Sequence, residues 1–389
     1  MDYIERDITT KLKEYTGMFP VVYLTGPRQS GKSTLLKHLF SEYRYVNLEE
    51  KDLREFAQAD PRGFLDGLGG RAVIDEAQYA PELFSYIQSI IDEKNEPGLF
   101  ILSGSQNFLM MRNISQSLAG RVGILSLLPF SDNELKIAGK LNEDTDEWLL
   151  GGHYPRRTLM EMKPSDFYPN YIKTYVERDV RLETGVQKID KFKSFIQLCA
   201  ANTGSPINLS AIGNAIDTDA RTIASWINVL EESYLAFRLK PYLKNPVNRH
   251  SKTPKLYFYD TGLLCSLLGI KTAADLVASR MRGTIFENAV IVGHYKHIYN
   301  EGGFPGENTY FWRDSSAREK EVDLVIEYVN YLSLYEIKAS QTAKAKHADN
   351  LNIFEKNAAG TECIKTVIYD GPHNISLNGT SFINRSDLT

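Results

Sequence analysis

The stretch Val21 to Phe40, VVYLTGPRQSGKSTLLKHLF, constrains the fold more than any other part of the chain. Val21 to Leu24 is a short β-rich run, Gly26 and Gly31 enclose a loop, and an apolar-periodic helix runs on from Thr34 to Phe40. The Gly-x-x-x-x-Gly-Lys-Ser spacing therefore falls between a strand and a helix, the context that separates a phosphate loop from a chance glycine-rich turn. Glycines let the backbone wrap closely around phosphate oxygens, and successive N–H groups with the helix N-terminus form an anion nest. Gly26, Pro27, Arg28, Gln29, Ser30, Gly31, Lys32, Ser33 and Thr34 are the expected nucleotide contacts. Lys32 would neutralise β and γ oxygens, and Ser33 would ligate Mg2+.

A second element supports this. RAVIDEAQ, Arg71 to Gln78, reads as a buried strand ending in Asp75 and Glu76. A carboxylate at the C-terminal end of a parallel strand faces the crevice where open α/β sheets bind ligands. Asp75 suits the Mg2+ shell, directly or through water, and Glu76 suits a group that polarises the attacking water. Taken alone, an Asp-Glu pair after an apolar run is more often a helix cap. Arg44 to Leu48 reads as another strand, and LFILSGSQNF, Leu99 to Phe108, as a buried one with Ser103 and Ser105 at its end. Arg121 precedes a further strand and has two readings, an arginine finger or, more commonly, a surface ion pair. Strands and helices alternate, so a mostly parallel sheet with helices on both faces is expected.

GPRQSGKST, AVIDEAQ, FILSGS and LAGRVGILSLLPFS resemble the AAA-superfamily P-loop ATPases of prokaryotes. More narrowly they resemble the branch related to archaeal-type ATPases, whose members carry a C-terminal winged helix and a nuclease-like domain. The resemblance covers nearly the whole chain. It implies ATP hydrolysis with Mg2+ and assembly into homo-oligomers, because such sites are commonly completed by a neighbour's arginine.

At 389 residues the chain exceeds one typical core and splits into two or three domains. Net charge is −4, so attraction to nucleic acid must come from a local patch. Cys199, Cys265 and Cys363 match no zinc or disulfide spacing and fit a reducing setting. MDYIERDITTKLKEY has no apolar signal-peptide core, and no apolar run approaches the roughly 18 residues of a membrane span. A cytoplasmic protein without membrane association is expected.

From Pro129 to Arg181 the pattern turns helical and charged, and Glu177, Arg178, Asp179 and Arg181 crowd one helix that suits a solvated face or a subunit contact. INLSAIGNAIDTDARTIASWINVLEESYLAFRLK then reads as a helix-turn-helix. Asn208 or Ser210 caps the first helix, Asp217 to Asp219 supply the break, and a following strand completes a winged helix. No acidic residue lies between Glu232 and Asp260, while Arg238, Lys240, Lys244, Arg249, Lys252 and Lys255 are interleaved with aromatics. These six suit a patch for DNA, or charges that neutralise the acidic remainder of the chain.

The last part begins near Gly283 with a helix carrying Glu287. A short strand, TYFWRD, is followed by a hairpin, EVDLVIEYVNYLSLYEIKAS, turning at Val329 and Asn330. A helix past Ser340 and a late strand complete the order of the PD-(D/E)XK nuclease core. Asp323 and Glu336 on adjacent strands can share Mg2+ or Mn2+, and Glu336 and Lys338, two apart, project to one side. Lys338 would orient a water held by the metal, and Glu287 would extend the carboxylate shell. Inward charges on an edge strand, closed by a salt bridge to Lys338, explain the same residues.

The fold expected is thus α/β, an AAA-type P-loop core over residues 1–135 with a parallel sheet. A helical lid or linker over 136–190, a winged helix over 191–275 and a PD-(D/E)XK-like α/β domain over 276–389 follow. Three functions fit: an Mg-ATPase coupled to a DNA- or partner-binding C-terminal region, an ATP-regulated DNA nuclease, and a nucleotide-switched binding module without catalysis.

Overall fold

The computed structural model describes residues 3–105, 117–176, 189–243, 253–314, 320–358 and 360–387. Glu177, Arg178, Asp179, Arg181, Lys244, Arg249 and Lys252 lie outside the described residues.

Among the described residues five strands form the first sheet: β1 (Val21–Thr25), β2 (Arg44–Asn47), β3 (Ala72–Asp75), β4 (Phe100–Ser103) and β5 (Val122–Ser126), in the order β2-β3-β4-β1-β5. All pairings are parallel. Every residue of β1, β3 and β4 is buried, as a parallel sheet covered on both faces requires. Alternation divides the faces. Tyr23, Ile74 and Leu102 pack with Leu83, Phe84, Ile87 and Ile91 of the helix Leu83–Lys94, while Val22, Leu24, Val73 and Ile101 pack with Ile8, Leu12, Leu35 and Leu36. The register pairs Asn47 with Asp75, Leu24 with Ser103 and Thr25 with Ser126, so the strands end in one row. That row is the carboxyl edge, where the phosphate loop leaves β1.

The middle of the chain is helical: Asp132–Ile137, Thr145–Gly151, Pro155–Leu159 and Pro164–Tyr171 precede Ile189–Ala201, Leu209–Ala215 and Ala220–Glu232. Asn208 caps Leu209–Ala215 by accepting from the Ala211 N–H, and Asp219 caps Ala220–Glu232 by accepting from Thr222, so the break falls where the aspartates stand. Ile223, Trp226, Ile227 and Leu230 form the buried stripe, with the Trp226 indole edge-on to Phe192 and Phe195.

The second sheet has eight strands among the described residues. β6 (Ala236–Pro241) and β7 (Lys255–Phe258) form an antiparallel hairpin after the helix Ala220–Glu232. They join β8 (Thr309–Arg313), β9 (Glu321–Glu327), β10 (Tyr331–Lys338), β11 (Glu362–Tyr369), β12 (Ile375–Leu377) and β13 (Thr380–Asn384) in the order β12-β13-β11-β10-β9-β8-β6-β7. The join is the parallel pairing of Lys240 with Tyr310 and Pro241 with Phe311. One apolar core runs from Tyr168, Phe195 and Trp226 through Phe258 and Phe286 to Phe311, Ile337 and Ile368. Both sheet and core therefore cross residue 275.

Candidate functional site

The phosphate loop needs its glycines for stated reasons. Gly26 has φ of 144° and Gly31 φ of 99°, and a Cβ on Gly26 would stand 2.1 Å from the Leu127 carbonyl oxygen. Gln29, at φ 63°, shares the left-handed region, so the loop alternates in the manner of an anion nest. Lys32 opens the helix Lys32–Leu39, is 6% exposed, and donates to the carbonyls of Gly26 at 2.9 Å and Pro27 at 3.0 Å. Burial lowers its ammonium to about 8 against the opposing charges of Glu76 and Asp75, the residues it faces. Arg28 is half-buried with its guanidinium over the Tyr175 ring, Gln29 and Thr34 are exposed, and the Ser30 hydroxyl is buried without a partner.

Asp75 ends β3 and is 1% exposed. Its carboxylate accepts from the Tyr45 hydroxyl at 2.5 Å, from Ser103, and from the Glu76 N–H at 3.1 Å. Three donors thus converge on it, and Ser33 lies within reach of the same Tyr45 hydroxyl. A carboxylate and a hydroxyl at the mouth of the loop fit an Mg2+ partner set. Glu76 has φ of 54°, an uncommon conformation for a residue with a Cβ, which turns it away from the strand. Gln78 donates to it, and burial raises its carboxyl against the opposing charge of Lys32. Ser103 and Ser105 are both buried at the end of β4. The structure thus brings Lys32, Ser33, Asp75, Glu76 and Ser103 to one edge.

Arg121 does not join them. It precedes β5 at the amino edge, where Val122 pairs with Val21, while the loop leaves from the Thr25 and Ser126 end about 13 Å away along the strand. Its guanidinium is ion-paired with Asp92 at 2.7 Å on the surface. Within one chain it is a surface ion pair rather than a catalytic arginine.

The C-terminal charges do converge. The Lys338 ammonium lies 2.5 Å from Glu336 and 3.6 Å from Asp323, whose other partner is the Ile337 N–H at 2.8 Å. Glu287, on the helix Arg282–Asn300, accepts from the Tyr257 hydroxyl at 2.5 Å and lies 3.4 Å from Lys255. Lys255 also pairs with Glu321, which Arg313 meets at 2.5 Å. Burial, with the Asp323 charge adding, pushes Glu336 up to about 8 despite Lys338. Burial also pushes Glu287 up to about 7, with Lys255 opposing and Asp323 adding. For Lys338 burial acts downward, but Asp323 and Glu336 outweigh it and hold the ammonium above its ordinary value. Among the described residues no three His, Cys, Asp or Glu side chains are arranged to hold a metal ion. Ammonium groups stand between the carboxylates instead. One atom is left over: Oε2 of Glu336 is buried and has no hydrogen-bond partner among the described residues.

Of the six basic-patch residues, Arg238, Lys240 and Lys255 are described, and for these the expectation of an exposed basic face is corrected. Lys255 is 1% exposed and belongs to the carboxylate cluster. Arg238 is tied to Glu231 at 2.9 Å and to Asn228 at 2.8 Å, so its charge is spent locally. Lys240 is half-buried and lines a cleft of about 830 Å³ between the first sheet and the β6-β7 hairpin. These three do not form one exposed basic face. Sequence reasoning also missed Glu321, Tyr257, Tyr45 and Arg6. Glu321 is two residues from Asp323 and Tyr257 two from Lys255, so strand alternation carried a signal for both. Nothing local marks Arg6.

Residues 18–136 match a family model described as an AAA domain. Residues 142–274 and 282–388 match two models described as domains of unknown function, DUF8612 and DUF4143. The chain is similar to an uncharacterized protein of Mycobacterium tuberculosis, 28% identical over 381 residues that cover 96% of this chain and 82% of the relative. An uncharacterized protein of Haemophilus influenzae is 23% identical over 297 residues, 68% of this chain and 72% of that protein. A solved structure, the Walker-type ATPase of Pyrococcus abyssi, aligns with a TM-score of 0.47 at 17% identity, covering 68% of this chain and 96% of that one. The loop and its glycine geometry fall inside the segment 18–136 that matches the AAA-domain model. No described helix is long and apolar enough to cross a membrane.

Proposed function

We propose that the chain is an Mg2+-dependent ATPase whose nucleotide site is the loop 26–34 with Asp75 and Glu76. The observation that carries this is the convergence of Lys32 on Asp75 and Glu76 at the carboxyl edge of a parallel sheet, under a glycine-built anion nest. Lys32 donates to carbonyls of its own loop, so its ammonium is already aimed at the space a β- or γ-phosphate would fill. Mg2+ held by Ser33 and Asp75 would neutralise phosphate charge. Glu76, held by Gln78 and facing Lys32, is the group placed to accept a proton from water. Steady-state phosphate release from ATP with Mg2+, for the wild type, Lys32→Ala and Glu76→Gln, tests this. Turnover lost in both variants is expected. Turnover that survives Lys32→Ala would remove the reading.

A second reading concerns the C-terminal end, and the orphaned Oε2 of Glu336 favours it. Beside Asp323 and Lys338, that oxygen suits a divalent cation able to take the place of the ammonium, as in a PD-(D/E)XK-type nuclease. The helices Leu209–Ala215 and Ala220–Glu232 with the β6-β7 hairpin keep the order of a winged helix, the module that would bring DNA or a protein partner. Plasmid and single-stranded DNA incubated with Mg2+ or Mn2+, with and without ATP, tests cleavage. Cutting abolished by Glu336→Gln is expected under this reading. Intact DNA with ATP turnover retained would leave an ATPase whose C-terminal region binds without cutting.

A further inference from the structure

The loop is gripped from outside by two side chains that lie beyond the AAA-matched segment 18–136. Arg6 is 5% exposed and makes three bonds: Nη1 to the Ser30 carbonyl at 2.8 Å, Nη2 to the Leu128 carbonyl at 2.7 Å, and Nε to Glu134 at 2.9 Å. Glu134 in turn accepts from the Asp7 and Ser131 N–H groups, each at 2.8 Å, so the guanidinium is fixed on every side. Tyr171 is 3% exposed, ends the helix Pro164–Tyr171, and donates to the Arg28 carbonyl at 3.3 Å. Its hydroxyl also meets that of Tyr154 at 3.0 Å.

In a trans peptide the carbonyl and the following N–H point in opposite directions, and none of the described peptides is cis. Pulling the Arg28 carbonyl outward to Tyr171 therefore turns the Gln29 N–H the other way. Pulling the Ser30 carbonyl to Arg6 does the same for the Gly31 N–H. Gln29 and Gly31 both have positive φ, as Gly26 does at the start of the loop, and their alternation with Ser30 makes neighbouring N–H groups converge on an anion. The space is matched too, since a Cβ on Gly31 would lie 3.3 Å from Nη1 of Arg6.

We propose that Arg6 and Tyr171 are positioning residues of the nucleotide site, anchoring alternate carbonyls of the phosphate loop so that the Gln29 and Gly31 N–H groups face the phosphates. This rests on the ATP reading above and deepens it. Tyr171 belongs to the helical segment matched by a separate family model, so the nucleotide site is built jointly by two segments. Anything that moves the helix Pro164–Tyr171 alters phosphate affinity, and phosphate binding stiffens that helix in return.

The test is MgATP and MgADP titration by calorimetry on the full chain as wild type, Tyr171→Phe, Arg6→Lys and the double variant. Tyr171→Phe deletes one O–H, and Arg6→Lys keeps a cation against Glu134, so both are chosen to fold. The expected result is a Kd about five- to tenfold higher for each single variant, the loss of one hydrogen bond that orders the nest. The losses should multiply in the double variant, because different peptides are anchored. Melting without nucleotide should stay within about 2 °C of wild type for Tyr171→Phe, and KM should rise with kcat unchanged. A merely structural role would lower the melting temperature and leave Kd alone, which would overturn the inference. Wild type that binds MgATP while both variants bind it equally well would overturn it without touching the ATP reading. Wild type that binds no nucleotide would overturn both.

Discussion

Lys255 on β7 lies 3.4 Å from Glu287 on the helix Arg282–Asn300, with Glu321 of β9 as its other partner. The cation comes from the hairpin that follows the middle helices, while both carboxylates belong to the C-terminal segment. The β6-β7 hairpin thus follows the middle helices directly and forms the far edge of the eight-stranded sheet. Tyr257, two residues on, carries a second bond from the same strand to Glu287.

Removing that cation should be costly. Lys255→Met leaves Glu287 and Glu321 facing each other with Arg313 alone, and breaking a buried ion pair typically costs about 3–5 kcal/mol. The denaturant midpoint should fall accordingly. Glu287→Gln added to Lys255→Met should restore part of the loss, since one buried charge is then removed with its partner.

Arg121→Ala tests the placement of Arg121 at the amino edge. Its pair with Asp92 is 41% and 44% exposed, so stability should change by less than about 1 kcal/mol. Steady-state ATP turnover should stay near wild type. A loss on the order of 1,000-fold would instead mean that Arg121 reaches a neighbouring subunit's phosphates.

The first sheet was legible because parallel strands buried on both faces read as unbroken apolar runs, and the glycine loop between β1 and its helix has one good explanation. Asn208 was legible as one of two cap candidates and Asp217 to Asp219 as the break, while the capping role of Asp219 emerges only from its bond to the Thr222 N–H. The destination of β6 was not. Lys240 pairs with Tyr310 some seventy residues later, and no local pattern encodes a parallel pairing at that distance. Two residues of the basic patch misled for a related reason: Lys255 and Arg238 read as surface charges because their carboxylate partners Glu287, Glu321 and Glu231 lie on other elements. Burial of a charge depends on what arrives from elsewhere, and composition along one strand does not report it.

His294 gives a pH dependence with a definite sign. Burial, with His297 adding, lowers its imidazole to about 4, and its buried Nε2 has no partner among the described residues. The unfolded chain binds the proton near 6.5 while the folded chain resists it, so this term is fully present above pH 6.5 and is lost as pH falls toward 4. The difference amounts to at most about 3 kcal/mol. His294→Gln should flatten the fall in melting temperature between pH 6.5 and 4 and leave the profile above pH 7 unchanged.

One substitution at two glycines should act in opposite directions. At Gly26, φ is 144° and an added methyl would lie 2.1 Å from the Leu127 carbonyl oxygen, with no flexible side chain to give way. Gly26→Ala should therefore force the loop off β1, lower the melting temperature and abolish MgATP binding, with strain of about 1–3 kcal/mol or more. Gly293 lies exposed within the helix Arg282–Asn300, and nothing is found within 4 Å of its added Cβ. There Gly293→Ala removes backbone freedom from the unfolded chain and should stabilise by about 0.5–1 kcal/mol. Thermal melts of the two variants, with and without MgATP, check both signs. A Gly26→Ala protein that melts like wild type and still shifts with nucleotide would mean that β1 and Leu127 separate more easily than their packing allows.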